Sequence, residues 1–479
     1  MSIRLKLAVA SMAVVATAAL AEKTVERRTA VAEPLLSGRL EMAWGDRFLP
    51  ATDPHRFEIN LVDDAGHRHA LDPKGAARAA GDLEALFGRR VAVGFAPRSR
   101  ATSRFAMPEF IVPIDDIDGK HVPAGGHGAI PTKSIAGNTA WVSLLCKFKD
   151  VTYEHRARQF FTDQYGNDPG ELDHYWRENS YNQINLTGSK AYGWRSLPQP
   201  LSYYLTKDAS GQDRVDRSKL YRDCTTIFDP VVDFAVNGGV QGINMMFNAE
   251  MDGYAYGGNV CSTLDGINKC WGVTWNPPWA YGNIGFLVHE MGHAYGLPHA
   301  DNSDNDDFPR DNPWDVMSHA GGRNAVFHEK YFWLPKLLGA YSRDRLGWIP
   351  TERRRTITHG GAAQTFKLQY TSKADATTTQ IVLLPVPSST RYYTVEARAR
   401  TGTYEINMPG EAVIIHSVDV SRKRPAWSVD ADVPPADFSD NEGSMFRVGE
   451  TWTSPDAKKF RIDVIRQDSD GFEIKVTCI

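Results

Sequence analysis

His289-Glu290-Met291-Gly292-His293-Ala294-Tyr295-Gly296-Leu297-Pro298-His299 sets two imidazoles four residues apart, a carboxylate beside the first, and a third imidazole six residues after the second. Apolar Ile284, Leu287, Val288, Met291 and Tyr295 recur here at helical spacing, so the stretch predicts a helix with His289 and His293 one turn apart on a different stripe. Both rings can then reach one ion. Gly296 tolerates the left-handed backbone that stops a helix, and Pro298 prevents it from resuming in register. The turn is expected to bring His299 to the same ion. Three neutral imidazoles and an open fourth position are what a catalytic zinc requires, since the ion lowers the pKa of water to about 7 and polarises a carbonyl. Glu290 lies off the ligand stripe, where it can accept a water proton and pass it to a leaving amine. The expected assignment is therefore His289, His293 and His299 as metal ligands, Zn2+ as cofactor and Glu290 as general base. The plain alternative is a set of core or surface histidines with no metal.

Downstream, Asp301-Asn302-Ser303-Asp304-Asn305-Asp306-Asp307 is followed by Asp311 and Asp315. Oxygen side chains at alternate positions suit calcium, making Ca2+ a second candidate ion. The glycine that an EF-hand needs is replaced by Asp306, so that motif is rejected, and a solvated acidic loop is the simpler reading.

The chain has 479 residues, with 54 Lys+Arg against 58 Asp+Glu, a net charge of -4 and 42% hydrophobic residues. Such a chain can bury several cores, and collagenous, disordered and polytopic membrane classes are excluded. No clustered basic surface is implied, so nucleic acid is not an expected partner. Residues 1–21 carry Arg4 and Lys6, then an uncharged apolar stretch from Leu7, then Ala19-Leu20-Ala21 before Glu22. These are the three parts of a secretory signal, and the stretch is shorter than a membrane span. The mature chain is expected to begin at Glu22, secreted or periplasmic, without a membrane anchor and as a monomer. Five cysteines would then meet an oxidising compartment. Cys261 and Cys270 flank a turn containing Asp265-Gly266 and are the expected pair. Pairing among Cys146, Cys224 and Cys478 stays open. One alternative gives Cys224 the role of a thiolate that blocks the zinc.

Domain organisation is read as follows. Residues 22–120 alternate short apolar runs with turns, as in Arg56–Val62 and Gly88–Phe95, and predict a small β-barrel or sandwich, or a removable pro-segment. Residues 121–137 crowd Pro123, Gly125, Gly126, Gly128, Pro131 and Gly137 into a linker. Residues 138–350 predict an α/β layered domain. It has strands at 140–146 and 242–248, a helix opened by Asp168, Pro169 and Glu171, and a helical stretch around 219–236. Period-2 runs at 380–384, 392–397, 412–418, 460–464 and 472–476 predict a β-sandwich over residues 351–479.

His289–His299 resembles the zinc signature of the metzincin endopeptidases. Met317, in Trp314-Asp315-Val316-Met317-Ser318, resembles the methionine of their Met-turn, a hydrophobic floor beneath the metal. Four segments are similar to the secreted immune inhibitor A and gametolysin type of proteases within that clan: Asp315–Ser318, Arg345-Leu346-Gly347-Trp348-Ile349, Tyr392–Arg398 and Met408-Pro409-Gly410-Glu411-Ala412-Val413. The resemblance runs over roughly residues 140–420 and weakens beyond Trp348. It implies a metzincin-type α/β (α+β) zinc protease domain between the two β regions, with protein or peptide substrates. Several metzincin groups carry a tyrosine two residues after the Met-turn methionine, where this chain has His319. His319 is therefore a candidate donor to the oxyanion, with Tyr331 and Tyr341 as unranked others. Thermolysin-like architecture is disfavoured, because His299 stands where that class has no ligand.

The expected function is that of a secreted zinc endopeptidase. A second class is an exported module for mucin, glycan or matrix, with the metal retained as structure only.

Overall fold

The computed structural model describes residues 35–48, 55–95, 105–114, 134–303, 311–318, 320–322, 324–373, 377–433 and 442–479. The secretory-signal stretch, nearly all of the 121–137 linker, Asp304–Asp307 and His319 lie outside the described residues. The fold is a mixed, sheet-rich α/β arrangement with few helices.

The N-terminal region contributes β1 (Leu35–Arg47), β2 (His55–Asp63), β3 (Arg68–Ala70), α1 (Pro73–Ala80), β4 (Arg90–Phe95) and β5 (Pro108–Pro113). Leu40, Met42, Trp44, Ile59, Leu61, Val91 and Val93 bury one face of these strands against Leu83 and Leu86. The strands do not close on themselves as a separate barrel. β1 is long enough that its first half pairs with β4 while residues Ala43–Arg47 pair with a strand of the central region, and the two regions become one ten-stranded sheet.

The central part of that sheet is built from β6 (Trp141–Lys147), β7 (Lys190–Ser196), β8 (Gly242–Phe247), β9 (Tyr254–Leu264) and β10 (Ile267–Asn276). Its order is β3-β2-β1-β9-β10-β8-β6-β7. β10, β8, β6 and β7 are mutually parallel. β9 is antiparallel to β10 and to β1. Strands covered on both faces are apolar throughout: every residue of β8 is buried. One face packs on α2 (Leu172–Ser180) and on α4 (Ile284–Ala294), the helix that carries the first two histidines. The opposite face packs on α3 (Arg217–Phe228).

α2 begins at Leu172, later than Asp168 and Pro169 suggest; Asp168 instead donates its backbone N–H to Glu171 Oε2 at 2.9 Å, which closes a turn ahead of the helix. α3 likewise stops at Phe228, and the backbone then turns through residues 229–235. Cys261 and Cys270 face each other on the β9–β10 hairpin and are bonded, as expected. Cys224 on α3 is bonded to Cys146 on β6, which removes it as a thiolate ligand, and Cys478 is free. Two disulfides suit an oxidising compartment. Among the described residues no helix is long and apolar enough to cross a membrane.

After His299 come β11 (Ala300–Asn302) and α5 (Ala340–Arg345). The C-terminal strands are β12 (Arg354–Thr356), β13 (Gln364–Gln369), β14 (Ile381–Pro385), β15 (Tyr392–Arg398), β16 (Ala412–Val418), β17 (Ala426–Ser428), β18 (Thr451–Thr453), β19 (Phe460–Asp468) and β20 (Gly471–Cys478). Two sheets, β11-β17-β16-β15-β14-β12 and β13-β20-β19-β18, share one apolar core. The sheet boundary does not fall at residue 350. β11 pairs in parallel with β17, so the residue after the third histidine is tied directly into the C-terminal sheet.

Candidate metal centre

Asn283 caps α4 by accepting from Gly285 N, and the helix ends where Gly296 adopts φ +94°. That left-handed residue is the stop anticipated from the sequence, and it turns the chain so that His299 faces back towards α4. His293 Nε2 lies 3.1 Å from His289 Nε2 and 3.1 Å from His299 Nε2. All three rings are buried, at 3%, 0% and 3% exposure for His289, His293 and His299.

A fourth group joins them that no spacing in the sequence indicates. Asp46, on β1, places Oδ1 3.0 Å from His299 Nε2 and Oδ2 3.4 Å from Nε2 of both His289 and His293. It is 2% exposed. Asp46 is reached only through the pairing of β1 with β9, so nothing local to residues 42–47 distinguishes it from any other strand aspartate.

The donor atoms fit a metal ion. His289 Nδ1 bonds to the carbonyl of Val316, and His293 Nδ1 to that of Leu297, each at 2.7 Å. A carbonyl only accepts, so each Nδ1 carries the proton and each Nε2 presents a lone pair. Two lone pairs facing at 3.1 Å repel unless a cation lies between them. The separations among these donors, 3.1 Å from His293 Nε2 to each of the other two nitrogens and 3.2–3.4 Å from Asp46 Oδ2 to all three, suit an ion lying about 2 Å from each, the distance at which zinc holds imidazole nitrogen and carboxylate oxygen. Burial pushes His293 below its ordinary pKa, which also favours the neutral ligand form. His289, His293, His299 and Asp46 form the group able to hold a metal ion.

The floor of the centre is set by the segment around Met317. Asp315 accepts from Met317 N at 2.9 Å and from Ser342 Oγ at 2.7 Å, fixing the turn whose Val316 carbonyl orients His289. Arg398 on β15 donates to the Trp314 carbonyl and pairs with Glu405, holding the same turn from the C-terminal sheet. Gly292 faces the methionine: a Cβ there would sit 2.5 Å from the Met317 sulfur. Gly257 on β9 has the same relation to the helix, since a Cβ would overlap the Glu290 carbonyl oxygen.

Glu290 is fully buried on α4 beside His289. Tyr331 donates its hydroxyl to Glu171 at 3.3 Å, and the Tyr341 hydroxyl accepts from Arg345 at 3.4 Å. Among the described residues neither has a hydrogen bond to His289, His293 or His299. Of the acidic segment, Asp301 binds Arg424 at 2.7 Å, and its carbonyl accepts from Asn312.

No protein-family model matches the chain, and no curated protein matches it.

Proposed function

We propose that this chain is an exported zinc-dependent endopeptidase of metzincin type, in which His289, His293 and His299 hold the ion and Glu290 is the general base. The reading rests on one observation above all. His293 Nε2 lies 3.1 Å from Nε2 of both His289 and His299, and the helix that carries His289 and His293 also carries a buried carboxylate next to the first of them. Zinc held there supplies Lewis acidity, polarising a scissile carbonyl and bringing the pKa of water down to about 7. The Glu290 carboxylate takes the proton of the attacking water and returns it to the amide nitrogen as the C–N bond breaks. Val316 and Leu297 keep the two helix imidazoles in one tautomer and one orientation. His319 is the proposed donor to the oxyanion, and calcium in the acidic loop remains a proposal on sequence grounds.

One observation favours a second reading, an export-compartment binding module with a structural metal. Asp46 completes four protein donors, the pattern of a closed structural zinc. A structural site needs no base beside it, and the retained Glu290 supports catalysis instead.

The test is hydrolysis of a peptide mixture by zinc-loaded, N-terminally processed protein, with and without a chelator, beside Glu290→Ala. Chelator-sensitive scission lost in the variant supports the enzyme. Metal retention with no scission in the processed parent overturns it.

A further inference from the structure

Two of the three histidines are braced from outside the helix and turn that present them, and one is not. His289 gives its Nδ1 proton to the Val316 carbonyl. The residue after His299 is bonded to the same segment, with Ala300 N donating to the Met317 carbonyl at 3.2 Å. His293 is braced locally: its Nδ1 proton goes to the Leu297 carbonyl, and Leu297 N returns to the Gly292 carbonyl at 3.0 Å.

The turn that carries Val316 is anchored in the C-terminal region through Trp314. Its fully buried ring lies among Met408, Ala412, Ile414 and Met445, and its indole N–H donates to Ser444 Oγ at 3.0 Å. Its carbonyl accepts from Arg398, which is itself fully buried between Glu396 and Glu405. Its backbone N–H donates to Asn312 Oδ1 at 2.9 Å. The other end of the Asn312 amide donates to the Asp301 carbonyl at 2.8 Å and faces His416 Nε2 on β16 at 3.1 Å. Asn312 thus joins the turn beneath His289 to the strand that continues from His299. That strand, β11, lies parallel to β17, and the Asp301 carboxylate pairs with Arg424 at 2.7 Å.

We infer that the C-terminal sandwich is a working part of the metal centre: Arg398, through the Trp314 carbonyl, is the positioning residue that aims the Val316 carbonyl at His289, while β17 and Arg424 place the segment leaving His299. This rests on the reading of the histidines as ligands of a hydrolytic ion.

The physical reason is the acceptor on the far side of the ring. A carbonyl that takes the Nδ1 proton fixes the tautomer and the ring plane, and makes the other nitrogen a stronger donor to the ion. Val316 can do this only while its turn is held still. A guanidinium is planar, so one group that donates both to the Trp314 carbonyl and to Glu405 fixes the direction of the first bond by the second. His293 needs no such help, because its brace closes within α4 and the Gly296 turn. The centre is therefore supported unequally, with two ligands set by the C-terminal region and one set by the helix.

The test uses the full chain loaded with Co2+, whose paramagnetism moves the ring N–H signals of bound imidazoles clear of other protons. Labelling with 15N-histidine, beside His289→Gln and His293→Gln, assigns them. In Arg398→Met the His289 Nδ1–H signal should shift and exchange with solvent at least about tenfold faster, and Co2+ affinity should fall about 10- to 100-fold. The His293 Nδ1–H signal should stay where it is in the parent. Arg398→Lys keeps the charge without the fork and should behave as Arg398→Met does. Arg424→Met should move the His299 ring signals and again spare His293. Equal effects of Arg398→Met on His289 and His293, as general loosening would give, overturn the inference, and so does a parent-like His289 signal. Should Arg398→Met not fold, Ser444→Ala, which removes the hydroxyl that accepts the Trp314 indole N–H, is read by the same outcomes. Peptide hydrolysis by the parent is measured separately: a selective His289 response with no scission keeps the positioning role and removes the hydrolytic reading.

Discussion

Arg345 and Asp82 join α5 to the N-terminal region through two hydrogen bonds, at 2.7 and 3.1 Å, with the side chains only 4% and 8% exposed. Arg345→Met keeps most of the volume and removes the charge, stranding the Asp82 carboxylate beside the buried Glu84. Breaking a buried pair from one side costs about 3–5 kcal/mol, because the remaining charge keeps its desolvation penalty without its partner. Asp82→Asn strands Arg345 in the same way while preserving the acceptor that takes Ala85 N at 3.1 Å. The double variant leaves neither charge, so its cost should fall at least about 2 kcal/mol short of the two single costs together. A chain with several cores does not unfold in one step, so the assay is native-state hydrogen exchange of the β1 amides Trp44–Arg47. Each single variant should speed their exchange roughly 10²- to 10³-fold, as a loss of that size at the docking interface requires. Strictly additive effects, or β1 amides indifferent to both changes, would refute the claim that this pair clamps the N-terminal region.

Burial pushes Glu84 up to about 7, against the attraction of Arg345. The folded state therefore holds a proton that the unfolded chain gives up near pH 4.5, and docking weakens as pH rises through 4.5–7, by at most about 3 kcal/mol. Glu84→Gln should flatten the pH dependence of β1 exchange between pH 5 and 8; an unchanged slope would place the titration elsewhere. The Cys146–Cys224 bond spans a sequence separation of 78. Chain-entropy reasoning gives it about 4–5 kcal/mol, so Cys146→Ala with Cys224→Ala should lower the denaturation midpoint of the central region well below that of the parent, and an equal midpoint would contradict this. Gly292→Ala should cost about 1–3 kcal/mol by overpacking against Met317 and should weaken zinc binding in a chelator competition. Unaltered affinity would show that the turn can move without disturbing His289.

The α4 helix, its Gly296 stop and the convergence of His289, His293 and His299 were legible because local periodicity and a fixed spacing encode them. So were strands such as β16, whose bounds Ala412–Val418 match the period-2 run, and the Cys261–Cys270 pair across a tight hairpin. Asp46 was not legible. Its role comes from strand pairing across more than two hundred residues, and one aspartate in Trp44-Gly45-Asp46 carries no signal of that. The same blindness to pairing made residues 22–120 read as a small β-barrel or sandwich, or a removable pro-segment, when β1 is shared with the central sheet. β11 escaped notice for a related reason: three residues are too few for a period, and only pairing with β17 makes them a strand.

The most direct test of the central claim is X-ray absorption at the zinc edge of the purified, oxidised full chain, with metal content measured on the same sample. One zinc per chain is expected, in a shell of three imidazole nitrogens and carboxylate oxygen at about 2.0–2.1 Å, with the nitrogen count reduced in His299→Ala and the oxygen contribution altered in Asp46→Asn. A chain that binds no stoichiometric zinc, or binds it through sulfur, would contradict the account.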